Sequence, residues 1–225
     1  GPGGKQYGFP AGCKINLPIA VEVVLHNGRK RMPGQQMSGE LLGVETGDPR
    51  GFKTFDEFLS AVKIQLAQQI EDGHIAVSYA EKVKMNHLPL LLQSLLTESC
   101  IERGLWANAG GAEVNVGPGM PITGGIATIA DSLAAIKKLV YEEQRIGMDE
   151  LIRALDSDFE GYEPLRQMLI HDAPKYGNDD DYVDDIARDI WQFYVFEVNK
   201  YRAPLGNRNA PSDCVVTGYV SAGAF

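Results

Sequence analysis

Residues 126–143 read IATIADSLAAIKKLVYEE, and this stretch carries the strongest indication of the fold. Apolar residues recur at every third or fourth position, and charged residues lie between them. This spacing brings the apolar side chains to one face of a helix. The face comprises Ile126, Ile129, Ala130, Leu133, Ile136 and Val140. We therefore predict an amphipathic helix over about 126–143 that buries this face.

The segment immediately before this helix is rich in glycine. Between residues 109 and 125 it contains six glycines and two prolines, which surround the run EVNV at 113–116. Such a pattern predicts a short strand that leads into a tight loop. Because glycine has no Cβ, the backbone of such a loop can approach a ligand closely.

Further upstream, the sequence predicts a loop, a helix and a second loop. Residues 1–12 hold five glycines and two prolines. Apolar residues then recur at helical spacing from Ile15 until Asn27 and Gly28, a pair that predicts the end of a helix. The polar stretch 29–53 is punctuated by Gly and Pro and predicts a long surface loop.

Two longer helices should follow that loop. Thr54 and Glu57 have the spacing of a capping box, and an apolar stripe continues from there to Ile70. We expect Asp72-Gly73 to interrupt this helix. A second helix over about 88–103 is apolar on most of its circumference, which predicts burial on several sides.

The remaining sequence predicts a helix-rich chain. Two short helices are expected near 148–157 and 163–171, and a longer one over about 182–200. No linker separates these segments, so we expect one structural unit over 1–225.

The charge balance argues against several classes of partner. The chain has 21 Lys and Arg against 30 Asp and Glu, a net charge of -9, which repels nucleic acid and anionic membrane surfaces. No apolar run approaches the roughly 18 residues that cross a bilayer. The three cysteines form no CxxC pair, which disfavours a disulfide framework and a zinc site and fits a reducing cytoplasm.

The common ligand motifs are missing from the sequence. The acidic run NDDD at 178–181 lacks the ligand spacing of an EF-hand, and we expect it to cap the helix that follows. The glycines at 117–125 do not match a dinucleotide-binding fingerprint. The four histidines are scattered singly. No metal site is therefore predicted.

Three residues remain as candidates for function or for a special packing role. Glu113 is an acid in a glycine-rich, otherwise apolar stretch, where it either binds a substrate or satisfies backbone amides. Cys13 follows a glycine-rich loop at a predicted helix start, where the pKa of a thiol can fall. A pocket role and a packing role are both open for Cys13, whereas Cys100 on its apolar helix is expected to be buried.

Several strings resemble segments of the pyruvate formate-lyase-like glycyl-radical enzymes, in family order across nearly the whole chain. The fragments LLTESCIERG, ADSLAAIKKLV and APKYGNDDDYVD stand at 95–104, 130–140 and 173–184. TGDP at 46–49 and GGAEVN at 110–115 resemble the family's TGDP run and GGAxYN loop, with Val114 in place of the usual tyrosine.

The resemblance implies an α/β fold, the helix-rich portion of a ten-stranded glycyl-radical-enzyme barrel. It implies a lyase or decarboxylase that cleaves a small organic molecule anaerobically, by hydrogen abstraction with a cysteine thiyl radical. No bound cofactor is implied. Instead a glycyl radical would be installed by a radical SAM activating enzyme, and we expect a homo-oligomer. The resemblance of the loop at 110–115 places Glu113 and Asn115 at the substrate pocket, and Cys13 is a further candidate for that pocket.

The two radical residues depart from the family's pattern. Cys13 is followed by Lys14 and Ile15 rather than by a glutamate two residues on. Gly218 lies in VTGY, where Val215 replaces the arginine of the family's Arg-Val-x-Gly-Tyr motif. Cys13 and Gly218 therefore stand only as candidates for the catalytic residues. The chain is interpreted as a partial domain without a clear glycyl-radical segment, and the alternative is a truncated, non-catalytic binding or scaffolding subunit.

Overall fold

The computed structural model describes residues 4–7, 13–29, 41–115, 121–201 and 212–213. Helices predominate among these residues: α1 Leu17–Leu25, α2 Phe55–His87, α3 Leu91–Leu95, α4 Cys100–Arg103, α5 Ile126–Ile136, α6 Met148–Asp156, α7 Glu163–His171 and α8 Asp181–Val198. The described strands are β1 Gln6–Tyr7, β2 Cys13–Asn16, β3 Val114–Asn115, β4 Pro121–Gly124 and β5 Ser212–Asp213.

The strands form two small sheets. In one, β1 pairs in parallel with β3, with Tyr7 opposite Asn115. In the other the order is β2-β4-β5, and β4 is parallel to β5. Short parallel strands among many helices agree with part of an α/β fold. The ten-stranded barrel stays a prediction.

The chain divides into two compact units. The first comprises Gly1–Ile15, Ile70–Thr123 and Val195–Cys214, and the second comprises Asn16–Gln69, Gly124–Tyr194 and Val215–Phe225. Our expectation of one structural unit over 1–225 stays a prediction for the domain as a whole.

The second unit has a closed apolar core in which α1 packs against α5. The predicted face of α5 is confirmed, because Ile129 and Leu133 are fully buried. After Ile136 the helix passes into a π-helical turn, Lys137–Glu142, and Leu139 rather than Val140 is buried there. The wider π turn breaks the 3.6-residue period on which the sequence prediction rested.

The start of α2 confirms the predicted cap. Thr54 Oγ1 accepts a hydrogen bond from the backbone N–H of Glu57 at 3.3 Å. The Glu57 carboxylate in turn accepts from the N–H of Lys53 at 2.7 Å, one residue before the cap. These two bonds satisfy donors that a helix start would otherwise leave unpaired.

The predicted interruption at Asp72-Gly73 is wrong, because α2 continues to His87. A Cβ at Gly73 would lie 2.9 Å from Cys13 Sγ and 3.2 Å from Ile15 Cδ1. Glycine here therefore allows β2 to approach the helix, and it does not end the helix.

The single buried helix over 88–103 is also wrong. Ser99 adopts φ +70°, a left-handed conformation, and separates α3 from α4. Cys100 is buried as expected, but Leu92, Leu96 and Ile101 are 71%, 72% and 69% exposed. The end of the segment at Gly104, also left-handed, is confirmed.

Candidate functional site

The glycine-rich loop at 110–112 is fixed by its neighbours in the first unit. Arg103 donates from Nη1 to the carbonyl oxygen of Ala112 at 2.9 Å and to that of Gly110 at 3.3 Å. A Cβ at Gly111 would lie 2.2 Å from the carbonyl oxygen of Leu105. Only glycine fits at this position. The close packing at Gly111 and the hydrogen bonds from Arg103 together hold the loop in place, and the loop fixes the start of β3.

Glu113 follows this loop and forms an ion pair with Lys5. Lys5 Nζ lies 3.5 Å from Glu113 Oε2 and 3.4 Å from Glu98 Oε2. The Glu113 charge is the main reason that the pKa of Lys5 is raised. The side chain of Glu113 is 48% exposed. Because both side chains of this ion pair are about half exposed, the Glu113 carboxylate can exchange Lys5 for another donor.

Lys5 was missed by sequence reasoning. Its backbone carbonyl accepts from the N–H of Val114 at 3.0 Å, so the pairing of β1 with β3 brings Lys5 beside Glu113. Its position in the glycine-rich N-terminal segment gave no signal of this contact. Asn115 lies in β3, where it pairs with Tyr7.

Cys13 has a different environment from the predicted one. It begins strand β2, and α1 starts only at Leu17, so no helix start adjoins the thiol. Cys13 is partly buried, with Gly73 next to its Sγ. Burial raises the pKa of the Cys13 thiol, which contradicts the lowered pKa that we expected.

The structure therefore places Cys13, Glu113 and Asn115 in the first unit. Gly218 lies outside the described residues. Within the described ranges no group of three His, Cys, Asp or Glu side chains is arranged to hold a metal ion. Among the same residues, no helix is long and apolar enough to cross a membrane.

The acidic run before α8 caps that helix, as the sequence predicts. Asp180 Oδ1 accepts a hydrogen bond from the backbone N–H of Tyr182 at 3.0 Å. In the same unit, Asp131 on α5 accepts a hydrogen bond at Oδ1 from the backbone N–H of Tyr176 at 2.7 Å. This bond connects α5 to the segment before α8. Both acids have structural roles in the second unit.

Comparison with known proteins places these features in a family. Residues 1–223 match the family described as pyruvate formate lyase-like. The chain is 40% identical over 185 residues to trans-4-hydroxy-L-proline dehydratase of Clostridioides difficile, covering 82% of this chain and 22% of that protein. It is 38% identical over 213 residues to isethionate sulfite-lyase of Desulfovibrio desulfuricans, covering 94% of this chain and 25% of the relative.

A solved structure agrees with these sequence matches. The glycerol-bound form of the B12-independent glycerol dehydratase from Clostridium butyricum superposes with a TM-score of 0.81 at 34% identity, over 92% of this chain and 25% of that one. The chain thus spans about a quarter of the length of the relatives that it matches. Sequence and fold agree that the chain belongs to the pyruvate formate lyase-like family of glycyl-radical enzymes.

Proposed function

We propose that the full-length protein is a glycyl-radical lyase that cleaves a small organic substrate by thiyl-radical hydrogen abstraction under anaerobic conditions. The names of its relatives support elimination chemistry in particular. One relative is a dehydratase and another is a sulfite-lyase, so each is named for expelling a small leaving group. A radical SAM activase would install the glycyl radical, and the enzyme would be a cytoplasmic homo-oligomer.

Glu113 is the residue that we propose binds the substrate, together with Asn115 and Cys13. The observation that carries this assignment is the half-exposed Glu113 carboxylate, which follows a loop fixed by Arg103 and has Lys5 as its ion-pair partner. A carboxylate in this position accepts a hydrogen bond from a substrate hydroxyl when Lys5 moves aside. The thiyl cysteine and the radical glycine are not assigned; within this chain Cys13 and Gly218 are no more than candidates for them.

Glu113→Gln in the full-length enzyme tests the assignment, with Glu98→Gln as the matched control. Both carboxylates contact Lys5 at nearly the same distance and are about half exposed, so each substitution removes one partner of the same lysine. We expect Glu113→Gln to lower kcat/KM by about tenfold or more, and Glu98→Gln to have little effect. Neither should lower the unfolding midpoint appreciably, because both ion pairs are exposed and solvent screens them.

Equal kcat/KM values for Glu113→Gln and the parent would show that Glu113 does not bind the substrate. Equal losses of kcat/KM in the Glu113→Gln and Glu98→Gln variants would show that the effect acts through Lys5 instead.

The mass of the native polypeptide tests the proposal that the full-length protein is a glycyl-radical lyase. A mass several times 24.6 kDa agrees with a complete radical enzyme, whereas a mass near 24.6 kDa favours the non-catalytic subunit.

A further inference from the structure

The segment between α4 and β3 is held by side chains at two places, and the first lies near residue 107. The backbone N–H of Ala107 donates to Ser94 Oγ at 2.9 Å. Asn108 is 1% exposed, and its Nδ2 donates to the carbonyl oxygens of Lys84 at 3.0 Å and of Leu88 at 2.9 Å. These bonds connect the first half of the segment to α3 and to the end of α2.

The second half of the segment is bonded to Arg103, the last residue of α4. Cys100, at the other end of this short helix, is 3% exposed and anchors it in the first unit. From there the Arg103 guanidinium reaches across the loop, and Nη1 donates to the carbonyl oxygens of both Gly110 and Ala112. Nη1 carries two hydrogens, so this one nitrogen can make both bonds. Hydrogen bonds from a charged donor are about twice as strong as bonds between neutral groups.

The position of Glu113 depends on this contact. The residue before it, Ala112, is held by Arg103, and the residue after it, Val114, donates its N–H to the carbonyl oxygen of Lys5 at 3.0 Å. The Glu113 side chain is about half exposed, so packing alone does not fix it. The backbone on either side therefore determines where the carboxylate lies.

We propose that Arg103 is a positioning residue that acts on turnover through Glu113. The inference rests on the proposed function, in which Glu113 binds the substrate. Loss of the Arg103 bonds leaves the bond at Val114 in place but releases the residue before Glu113, so the carboxylate moves relative to the substrate. A misplacement of about 1 Å in a binding group can lower the rate by up to about 100-fold.

Arg103→Met in the full-length enzyme tests the proposal, because methionine keeps an unbranched apolar stem and removes the donor. We expect kcat/KM to fall about tenfold. Arg103→Lys should stay within about threefold of the parent, since a lysine ammonium also carries several hydrogens on one nitrogen. Arg166→Met is the control, with no change in kcat/KM expected. Arg166 lies on α7 of the second unit, is 50% exposed and pairs with Glu163 at 3.3 Å.

A double-mutant cycle separates an effect through Glu113 from an independent one. In a Glu113→Gln background, Arg103→Met should lower kcat/KM by less than about twofold, because the carboxylate that Arg103 positions is already gone. The same loss in both backgrounds would overturn the proposal. A parent-like kcat/KM in Arg103→Met, or an Arg103→Lys variant as impaired as Arg103→Met, would also overturn it. If Arg103→Met does not fold, Arg103→Gln, whose amide is too short to reach both carbonyls, takes its place.

Hydrogen exchange of the full-length protein before activation measures the loop without turnover. The N–H of Gly111 donates to the carbonyl oxygen of Trp106 at 2.9 Å and should be protected in the parent. Arg103→Met should speed exchange in peptides over 109–114 about tenfold or more, and Arg166→Met should not. A loss of kcat/KM in Glu113→Gln with parent-like exchange in Arg103→Met would overturn this inference and leave the proposed function intact. A parent-like kcat/KM in Glu113→Gln would overturn both.

Discussion

The two compact units differ in how far their apolar side chains are buried. In the second unit Phe58 and Leu133 are fully buried, and this unit holds most of the buried apolar side chains of the described chain. In the first unit Leu92 is exposed while the polar Asn108 is buried. Among the described residues the first unit also buries some apolar side chains, such as Ile70 and Val77, but far fewer than the second unit. Glu113 belongs to the first unit, so the candidate site lies in the unit that leaves more of its large apolar side chains exposed.

The largest expected effect comes from replacing one large apolar side chain in each unit with alanine. In the 225-residue chain, Phe58→Ala should lower the free energy of unfolding by about 3–5 kcal/mol, because it leaves a cavity in a closed core. Leu92→Ala should change it by less than about 0.5 kcal/mol, because the side chain is 71% exposed. Urea unfolding followed by circular dichroism measures both.

The same pair in the full-length protein sharpens the comparison. There Leu92→Ala should cost about 2–3 kcal/mol if further polypeptide buries the side chain, and less than about 0.5 kcal/mol if Leu92 stays exposed. A loss of this size already present in the 225-residue chain would mean that Leu92 is packed within the first unit, and the contrast between the units would fail.

A smaller effect is expected from backbone packing in the first unit. A Cβ at Gly111 would meet the carbonyl oxygens of Leu105 at 2.2 Å and of Trp106 at 2.9 Å, which are backbone atoms and cannot rotate away. Gly111→Ala should therefore lower the free energy of unfolding by about 1–3 kcal/mol. Gly51→Ala is the control, because nothing lies within 4 Å of its Cβ position, and its change should stay within about 0.5 kcal/mol.

If the two glycine variants unfold at the same urea concentration, the loop at 110–112 is not held as described. The first unit would then lack a fixed scaffold for Glu113 as well as a closed core.

Sequence reasoning predicted the second unit better than the first. The α5 face and the Thr54–Glu57 cap were found because both depend on neighbours within a few residues. The leucines of α3 and α4 were wrongly predicted to be buried, because their apolar pattern indicates that a partner exists but not where the partner lies. The left-handed conformation of Ser99, which separates α3 from α4, could not be predicted, since serine rarely adopts φ +70°.

The candidate site was predictable only as a list of residues. Glu113 was identified by its glycine-rich surroundings, but its ion pair with Lys5 depends on the pairing of β1 with β3, which joins distant parts of the chain. The pKa of Cys13 was predicted in the wrong direction for a similar reason. The thiol packs against Gly73 on another element, and that contact is not visible in the local sequence.

The smallest effect concerns a hydroxyl within the aromatic packing of the second unit. Tyr141 lies against the rings of Phe55 and Phe58, and its hydroxyl is buried without a hydrogen-bond partner among the described residues. Burial, with a smaller contribution from Glu57, raises the pKa of Tyr141 from 10.0 to about 12. Between these values the unfolded chain has released a proton that the folded protein retains, so stability should fall as pH rises from 10.0 to about 12.

Tyr141→Phe should remove part of that alkaline loss. At pH 7 it should leave the free energy of unfolding unchanged or raise it by less than about 1 kcal/mol, because an unpaired buried hydroxyl contributes no net stability. Tyr79→Phe is the reference from the first unit: Tyr79 is 72% exposed, and water already solvates its hydroxyl. Urea unfolding at a series of pH values measures the difference between the two variants. An alkaline loss that is the same in Tyr141→Phe as in the parent would show that water reaches this hydroxyl, and the second unit would then be less closed than its buried side chains indicate.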